Sequence, residues 1–415
     1  MTREEHREEH YAKIRSLALR NNHLLLKLPT GFGKSRIAID LIKLWAENKS
    51  ICTNTALLGI PVLIVIPKVV LKVNWVKEIS KWYPDWSNWL DISFVTYVSL
   101  PKVNLNNYGV VILDECHHFT ERCQLAIDEN PFNGAVIAMS ATIPKEPRER
   151  LYDSFAGLWS YSVSAREAIE DEILPDPTVL LIPLVLDSAK VQHKYVKNPS
   201  AKKEVTVNYN QRISWMKRKD YKVNILCTER EYYSLLQQDI DFWDNFFKRT
   251  QQFWARNNYL HKCGDRLKWL SSIKTPLIKS IQDKLGSRRY ITFCSSIEQA
   301  TQLGEFCIHS QDSNSYNYLE DFNGGAITNV AAVNVLNEGL NVSSCQVGLF
   351  AGINSSEIIT KQRLGRILRH QHPIIILPYF VSTRDEEIVT KMMKDYNPEL
   401  VHKVHNLEEL DGYLL

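Results

Sequence analysis

The sequence lacks several features that would settle its class at once. Its eight cysteines, among them Cys52, Cys116, Cys227 and Cys345, are irregularly spaced and include no Cys-x-x-Cys pair. That excludes a zinc ribbon, a redox dithiol and a disulfide scaffold, and points to reduced thiols in a cytoplasmic compartment (host cytoplasm for a viral protein). No apolar run approaches the ~18 residues needed to cross a bilayer, and the charged start, MTREEHREEHYAKIR, has no apolar core of a signal peptide. A membrane role is therefore not expected. There is no repeat of 20–50 residues and no low-complexity tract, which excludes solenoids and arrays. Net charge is also scarce: 50 Lys+Arg against 47 Asp+Glu leave only +3 over 415 residues.

The near-neutral total hides a division. Between Lys190 and Tyr290 there are 22 basic and 9 acidic residues, a net of +13, so the remainder carries −10. A neutral average of a basic block and an acidic remainder does not exclude a polyanionic partner. At roughly 100–200 residues per domain, the length suggests two or three domains.

Short apolar, β-branched runs alternate with helical spacing. Leu24–Leu28, Val62–Ile66, Ser93–Tyr97, Val110–Leu113 and Ala135–Met139 form a first set of predicted strands. Tyr290–Cys294, Gly325–Val330, Gln346–Leu349 and Ile374–Leu377 form a second. Near-continuous apolar strands interleaved with helices mean parallel sheets covered on both faces. The predicted class is α/β: two such domains in tandem, residues 1–185 and 286–415, the second with a helical tail. A basic, mainly helical segment, 186–285, joins them. Val69, Val70, Val73, Val76 and Ile79 are spaced for one buried helix face. Tyr232–Phe247 has helical periodicity, and Trp243 and Trp254 read as core residues.

The strongest local signal is Leu28–Pro29–Thr30–Gly31–Phe32–Gly33–Lys34–Ser35. Glycines at 31 and 33 permit a tight turn whose N–H groups face an anion, and a helix dipole follows. In such a loop Lys34 reaches the β- and γ-phosphates and the Ser35 hydroxyl ligates Mg²⁺. Leu28 stands where the strict G-x-x-x-x-G-K-S pattern has glycine. Eighty residues after Lys34, Val110–Val111–Ile112–Leu113 leads into Asp114–Glu115–Cys116–His117. Two acids at the C-terminal end of a buried parallel strand stand where such sheets bind ligands. Asp114 suits Mg²⁺, and Glu115 suits the attacking water.

With this D-E-C-H box the chain resembles the superfamily 2 helicases and translocases. Pro67–Lys68 resembles motif Ia, with Trp75 and Glu78 on the helix after it. Phe94–Val95–Thr96–Tyr97 resembles motif Ib, and Ser140–Ala141–Thr142 motif III. Ala168–Asp171 with Leu174–Pro175 resembles the segment that closes the first domain. Phe293–Ser296 resembles motif IV, Asn337–Asn341 motif V and Gln362–Arg369 motif VI. The pattern is closer to the XPB, restriction-subunit and phage UvsW-like DNA helicases than to Snf2-type remodellers, although Trp75–Glu78 is also similar to the latter.

The resemblance implies two RecA-like domains and an ATP- and Mg²⁺-dependent, nucleic-acid-stimulated ATPase. Catalysis would rest on Lys34, Asp114, Glu115, Gln362, Arg366 and Arg369. Thr30, Gly31, Phe32, Gly33, Lys34, Ser35 and Gly339 would hold the nucleotide, and Ser35 and Asp114 the metal. Ser140, Ala141, Thr142 and His117 would couple the ATP site to the substrate. Lys68, Thr96, Ser295, Ser296 and Asn341 would grip the sugar-phosphate backbone without reading sequence. In the basic block, Trp215 with Lys217, Arg218 and Lys219 combines phosphate neutralisation with a ring that can stack. The implied partner is DNA in preference to RNA, forked or branched, as in recombination or repair. The alternatives are an RNA helicase or a motor subunit of a larger restriction or repair complex. A compact second domain would suit a phage genome. No Gln lies in Arg3–Asn22, so that stretch supplies no glutamine to read adenine.

Overall fold

The computed structural model describes residues 2–48, 60–69, 71–195, 201–212, 220–333, 342, 345–354 and 370–414. The first sheet has six parallel strands in the order β3-β2-β4-β5-β1-β6. They are β1 (His23–Lys27), β2 (Ile60–Ile66), β3 (Leu90–Thr96), β4 (Val110–Asp114), β5 (Ala135–Ser140) and β6 (Trp159–Ser162). Five of the six fall on predicted strands. The apolar residues Val62–Ile66 of β2, Val110–Leu113 of β4 and Ala135–Met139 of β5 are all buried, because helices cover both faces: one core cluster gathers Leu24, Ile64 and Ile137, the other Leu25, Val65 and Val136. The helices are α1 (Arg3–Ala18), α2 (Lys34–Glu47), α3 (Leu71–Trp82), α4 (Glu121–Glu129), α5 (Lys145–Ser154) and α6 (Ala165–Glu170).

Two readings of this half are corrected. The buried stripe of α3 is Leu71, Trp75 and Ile79, spaced i, i+4, whereas Val69 and Val73 are 70% and 45% exposed. Val70 lies outside the described residues. The domain boundary at 185 also falls too late, because β7 (Thr178–Leu184) belongs to the second sheet.

That second sheet has seven parallel strands in the order β12-β13-β11-β14-β15-β7-β16. Its other members are β11 (Tyr290–Cys294), β12 (Cys307–Ile308), β13 (Asn329–Val333), β14 (Val347–Phe350), β15 (Ile374–Phe380) and β16 (Val401–Lys403). β13 starts four residues later than the predicted Gly325, which takes a left-handed conformation after a helix. The tail holds two helices, Arg384–Met392 and Leu407–Leu414, with β16 between them.

Among the described residues, the α-helices of the segment between the sheets lie in its second half. Its first half is a small sheet of β8 (Val191–Tyr195), β9 (Lys203–Asn208) and β10 (Tyr221–Cys227), in the order β8-β10-β9. A hairpin of α7 (Glu229–Thr250) and α8 (Phe253–Ile273) follows, then α9 (Thr275–Leu285). A buried ion pair, Lys274 Nζ to Asp385 Oδ2 at 2.5 Å, fastens the base of the hairpin to the second domain. The charge divides along the same line: residues 190–228 carry ten basic and two acidic side chains, whereas the hairpin 229–273 carries seven and six. Trp254 is not core. It is 48% exposed near the hairpin tip, clustered with Phe242, Trp243 and Phe246.

Among the described residues no helix is long and apolar enough to cross a membrane. The described cysteines are all free.

Candidate nucleotide-binding and catalytic cleft

Strand β1 delivers the phosphate-type loop and α2 carries it away. Gly31 and Gly33 adopt φ of 90° and 102°, which disfavour any residue with a Cβ. At Gly33 space forbids one as well: a Cβ would lie 2.4 Å from the Tyr11 hydroxyl, which donates to the Gly33 carbonyl at 2.9 Å. Phe32 is buried beneath the loop, edge-on to His10 and tilted against Tyr11. The loop is thus seated on α1. Helix α1 is tied in turn to the segment closing the first domain, because His10 bonds the Tyr161 hydroxyl and Asp171 at 2.7 and 2.8 Å. Leu174, also in that segment, is buried against the loop, within 3.2 Å of where a Gly31 Cβ would stand. Lys34 Nζ donates to the Leu28 carbonyl at 3.4 Å.

Strand β4 sets Asp114 and Glu115 against this loop. Glu115 takes a left-handed backbone, φ 49° and ψ 54°. Such strain in a non-glycine residue is typical of functional sites. Burial and the neighbouring Glu115 carboxylate push the Asp114 carboxyl above the usual carboxylate range. Burial raises Glu115 too, but the Lys34 ammonium, with His117 and Ser140 behind it, outweighs that and holds Glu115 low. Ser140 Oγ lies 3.1 Å from Glu115 Oε2 and 2.8 Å from the Thr142 carbonyl, so two acceptors share its one proton. His117 Nδ1 is 2.9 Å from the same hydroxyl. The D-E-C-H box and Ser140–Ala141–Thr142 therefore form one buried network.

The phosphate-type loop and the two acids of the box line one cleft of about 670 Å³, with the rest of the network behind them. Thr30, Gly31, Gly33, Lys34, Ser35, Asp114 and Glu115 form its floor. Helix Ser315–Gly324 of the second domain forms the opposite wall with Tyr316, Leu319, Glu320 and Asn323. Lys77 and Glu320 pair across it at 3.3 Å. The residues fit a nucleoside triphosphate and a divalent cation: the loop has no room for a side chain at Gly33, Thr30 Oγ1 is buried with no hydrogen-bond partner, and two carboxylates lie against a lysine. Lys34 and Ser35 would hold the phosphates, and Ser35 and Asp114 the Mg²⁺.

Four contributors to the cleft, Arg7, Tyr11, Arg36 and Trp75, have contacts that were not legible in the sequence. Arg7 and Tyr11 enter from α1, and Arg36 stacks over the Trp82 ring at 4.3 Å. Trp75 donates its indole N–H to Asp114 Oδ2 at 2.8 Å. The i±4 spacing of Trp75 to Leu71 and Ile79 would have marked it as inward-facing, but not what it meets.

Of the expected nucleic-acid contacts, Lys68 and Thr96 lie at the C-terminal edge of the first sheet and Ser295 and Ser296 at that of the second. Ser296 caps the helix Ile297–Leu303. Trp215, Lys217, Arg218, Lys219, Gly339, Asn341, Gln362, Arg366 and Arg369 lie outside the described residues.

Residues 2–145 match the family model described as "Type III restriction enzyme, res subunit". S. cerevisiae Dbp5 bound to RNA and ADP BeF3 superposes with a TM-score of 0.57 at 12% identity, covering 94% of this chain and 88% of that one. The chain has a superfamily 2 helicase-like fold. An HsdR subunit of a type I restriction enzyme from Vibrio vulnificus shares this helicase-like fold, with a TM-score of 0.54 at 15% identity over 96% and 68% of the two chains. So does the ATP-dependent type ISP restriction-modification enzyme LlaBIII bound to DNA, at 0.53 and 13%; there the match covers 97% of this chain but 32% of the larger one. No curated protein matches the chain in sequence. The tandem parallel sheets bear out the α/β reading and the superfamily resemblance.

Proposed function

We propose that the chain is an ATP-dependent motor that moves on or remodels DNA, forked or branched DNA in particular. The observation that carries this is the cleft itself: Lys34, Ser35, Asp114 and Glu115 of one domain face a helix of the other. Bound ATP with Mg²⁺ would supply the phosphoryl group to be transferred. Lys34 compensates phosphate charge, and Ser35 and Asp114 orient the metal. Glu115, kept ionised by Lys34 and His117, accepts the proton of the attacking water. Ser140 and His117 hold Glu115 in that pose and join it to Thr142. Gln362, Arg366 and Arg369, offered by the second domain, would complete charge compensation.

A parallel sheet edge carrying Lys68 and Thr96 suits sequence-independent grip of a sugar-phosphate backbone, and such grip weakens steeply with salt. The match to a restriction subunit supports DNA over RNA. It also supports a second reading, a motor subunit whose nuclease or methylase partner is a separate chain. The test is ATP turnover titrated with single-stranded, duplex, forked and Holliday-type DNA and with RNA. Stimulation by duplex or branched DNA is expected. Stimulation by RNA alone would replace the DNA reading, and DNA-stimulated turnover without strand separation, with a nuclease or methylase partner co-purifying, would favour the motor subunit.

A further inference from the structure

Strands β3, β2 and β4 are neighbours, parallel and level: Ile66 pairs with Thr96, and Val65 with Leu113. The chain therefore leaves all three at one edge of the sheet. Lys68 follows the first of these exits, Thr96 ends the second and Asp114 ends the third. Two hydrogen bonds join them. Helix α3 starts three residues after Lys68, and its Trp75, only 3% exposed, donates to the Asp114 carboxylate at 2.8 Å. Tyr97, adjacent to Thr96 and 5% exposed, donates its hydroxyl to the Asp114 main-chain carbonyl at 2.7 Å. One acid is thus gripped at its side chain from the Lys68 helix and at its backbone from the Thr96 strand.

We propose that Trp75 and Tyr97 are positioning residues that transmit engagement of the nucleic-acid track to the metal-holding Asp114. The inference rests on the motor reading above and adds to it the route by which substrate controls turnover. A residue that only fills the core need not aim its one polar atom at a carboxylate, and Trp75 does. The track itself is open to a ligand: Val69, next to Lys68, is 70% exposed and Val98, two residues after Thr96, is 86% exposed. A phosphate backbone seated there displaces the first residues of α3 and the end of β3 together. Hydrogen bonds weaken steeply with distance and angle, so a small shift at either point changes the hold on Asp114.

The experiment compares wild type with Trp75→Phe and Tyr97→Phe, each of which deletes one donor and keeps a ring. Three quantities are measured: the Mg²⁺ concentration for half-maximal binding of a fluorescent ATP analogue without nucleic acid, the ratio of stimulated to basal turnover, and nucleic-acid affinity. Trp75→Phe is expected to raise the Mg²⁺ requirement about tenfold, the worth of one hydrogen bond to a charged group. Both variants are expected to lose most of the stimulation while still binding nucleic acid. Should Trp75→Phe fail to fold, Tyr97→Phe, which removes a single oxygen, carries the test through the stimulation ratio. A wild type stimulated by nucleic acid, with variants stimulated equally and unchanged in Mg²⁺ dependence, overturns the relay alone. A wild type that no nucleic acid stimulates overturns the motor reading and the relay with it.

Discussion

Replacing Gly33 with alanine tests the loop geometry where two independent constraints meet. The backbone there has φ 102° and ψ 34°, for which an L-residue is penalised by about 1–2 kcal/mol. The new Cβ would also stand 2.4 Å from Tyr11 Oη, so the tyrosine must move and give up its 2.9 Å bond to the Gly33 carbonyl. A buried hydroxyl left unsatisfied costs about 1–3 kcal/mol. The sum, about 2–5 kcal/mol, falls on a loop seated on a large core, so it is expected as displacement of the loop rather than unfolding of the domain. At about tenfold per 1.4 kcal/mol, nucleotide affinity should weaken at least about thirtyfold. A titration of a fluorescent ATP analogue at fixed Mg²⁺ reads this directly. Adding Tyr11→Phe removes the oxygen in the way and leaves the ring carbon at 3.7 Å, an ordinary contact. The double variant should therefore recover about tenfold of the loss, a coupling that a double-mutant cycle isolates. Binding by Gly33→Ala within about threefold of wild type, under ~0.7 kcal/mol, would refute the reasoning. So would a double variant no better than the single one.

Three further outcomes follow from the same geometry. Ser140→Ala deprives Glu115 and His117 of their shared hydroxyl, so turnover should fall about tenfold or more with nucleotide affinity nearly unchanged, as steady-state kinetics beside binding would show. Lys274→Met leaves Asp385 buried and unpaired, at a cost of about 3–5 kcal/mol to the second domain's urea transition, much of which the added Asp385→Leu should restore. Phe253→Ser, at a position 74% exposed, should shift the unfolding midpoint by no more than the equivalent of about 0.5 kcal/mol, where a core phenylalanine would lose several-fold more.

What was legible in the sequence was local. Leu28–Ser35 and Val110–His117 each place strand, turn and chemistry within eight residues, so pattern alone locates the cleft floor. What was not legible depends on contacts between distant segments. Thr178–Leu184 was not among the predicted strands, and its pairing with Ile374–Phe380, nearly two hundred residues later, is what assigns it to the second sheet. Lys203–Asn208 alternates weakly because most of it is exposed, with Val207 its one buried residue. A small sheet with one wet face therefore looked like a helical stretch rich in charge. The stripe on α3 was misplaced because the helix begins at Leu71, which turns Val69 and Val73 outward, and the bond from Trp75 to Asp114 spans 39 positions.

The central claim, that the cleft between the domains hydrolyses ATP in response to nucleic acid, is tested most directly by turnover of wild type and Glu115→Gln, with and without duplex or forked DNA. Glutamine keeps the size of the side chain but cannot accept the proton of the attacking water. Wild type should turn over and be stimulated. Glu115→Gln should bind nucleotide as tightly yet lose about 10²–10⁴-fold in rate, the usual contribution of a positioned general base. Turnover by Glu115→Gln at the wild-type rate would contradict the account.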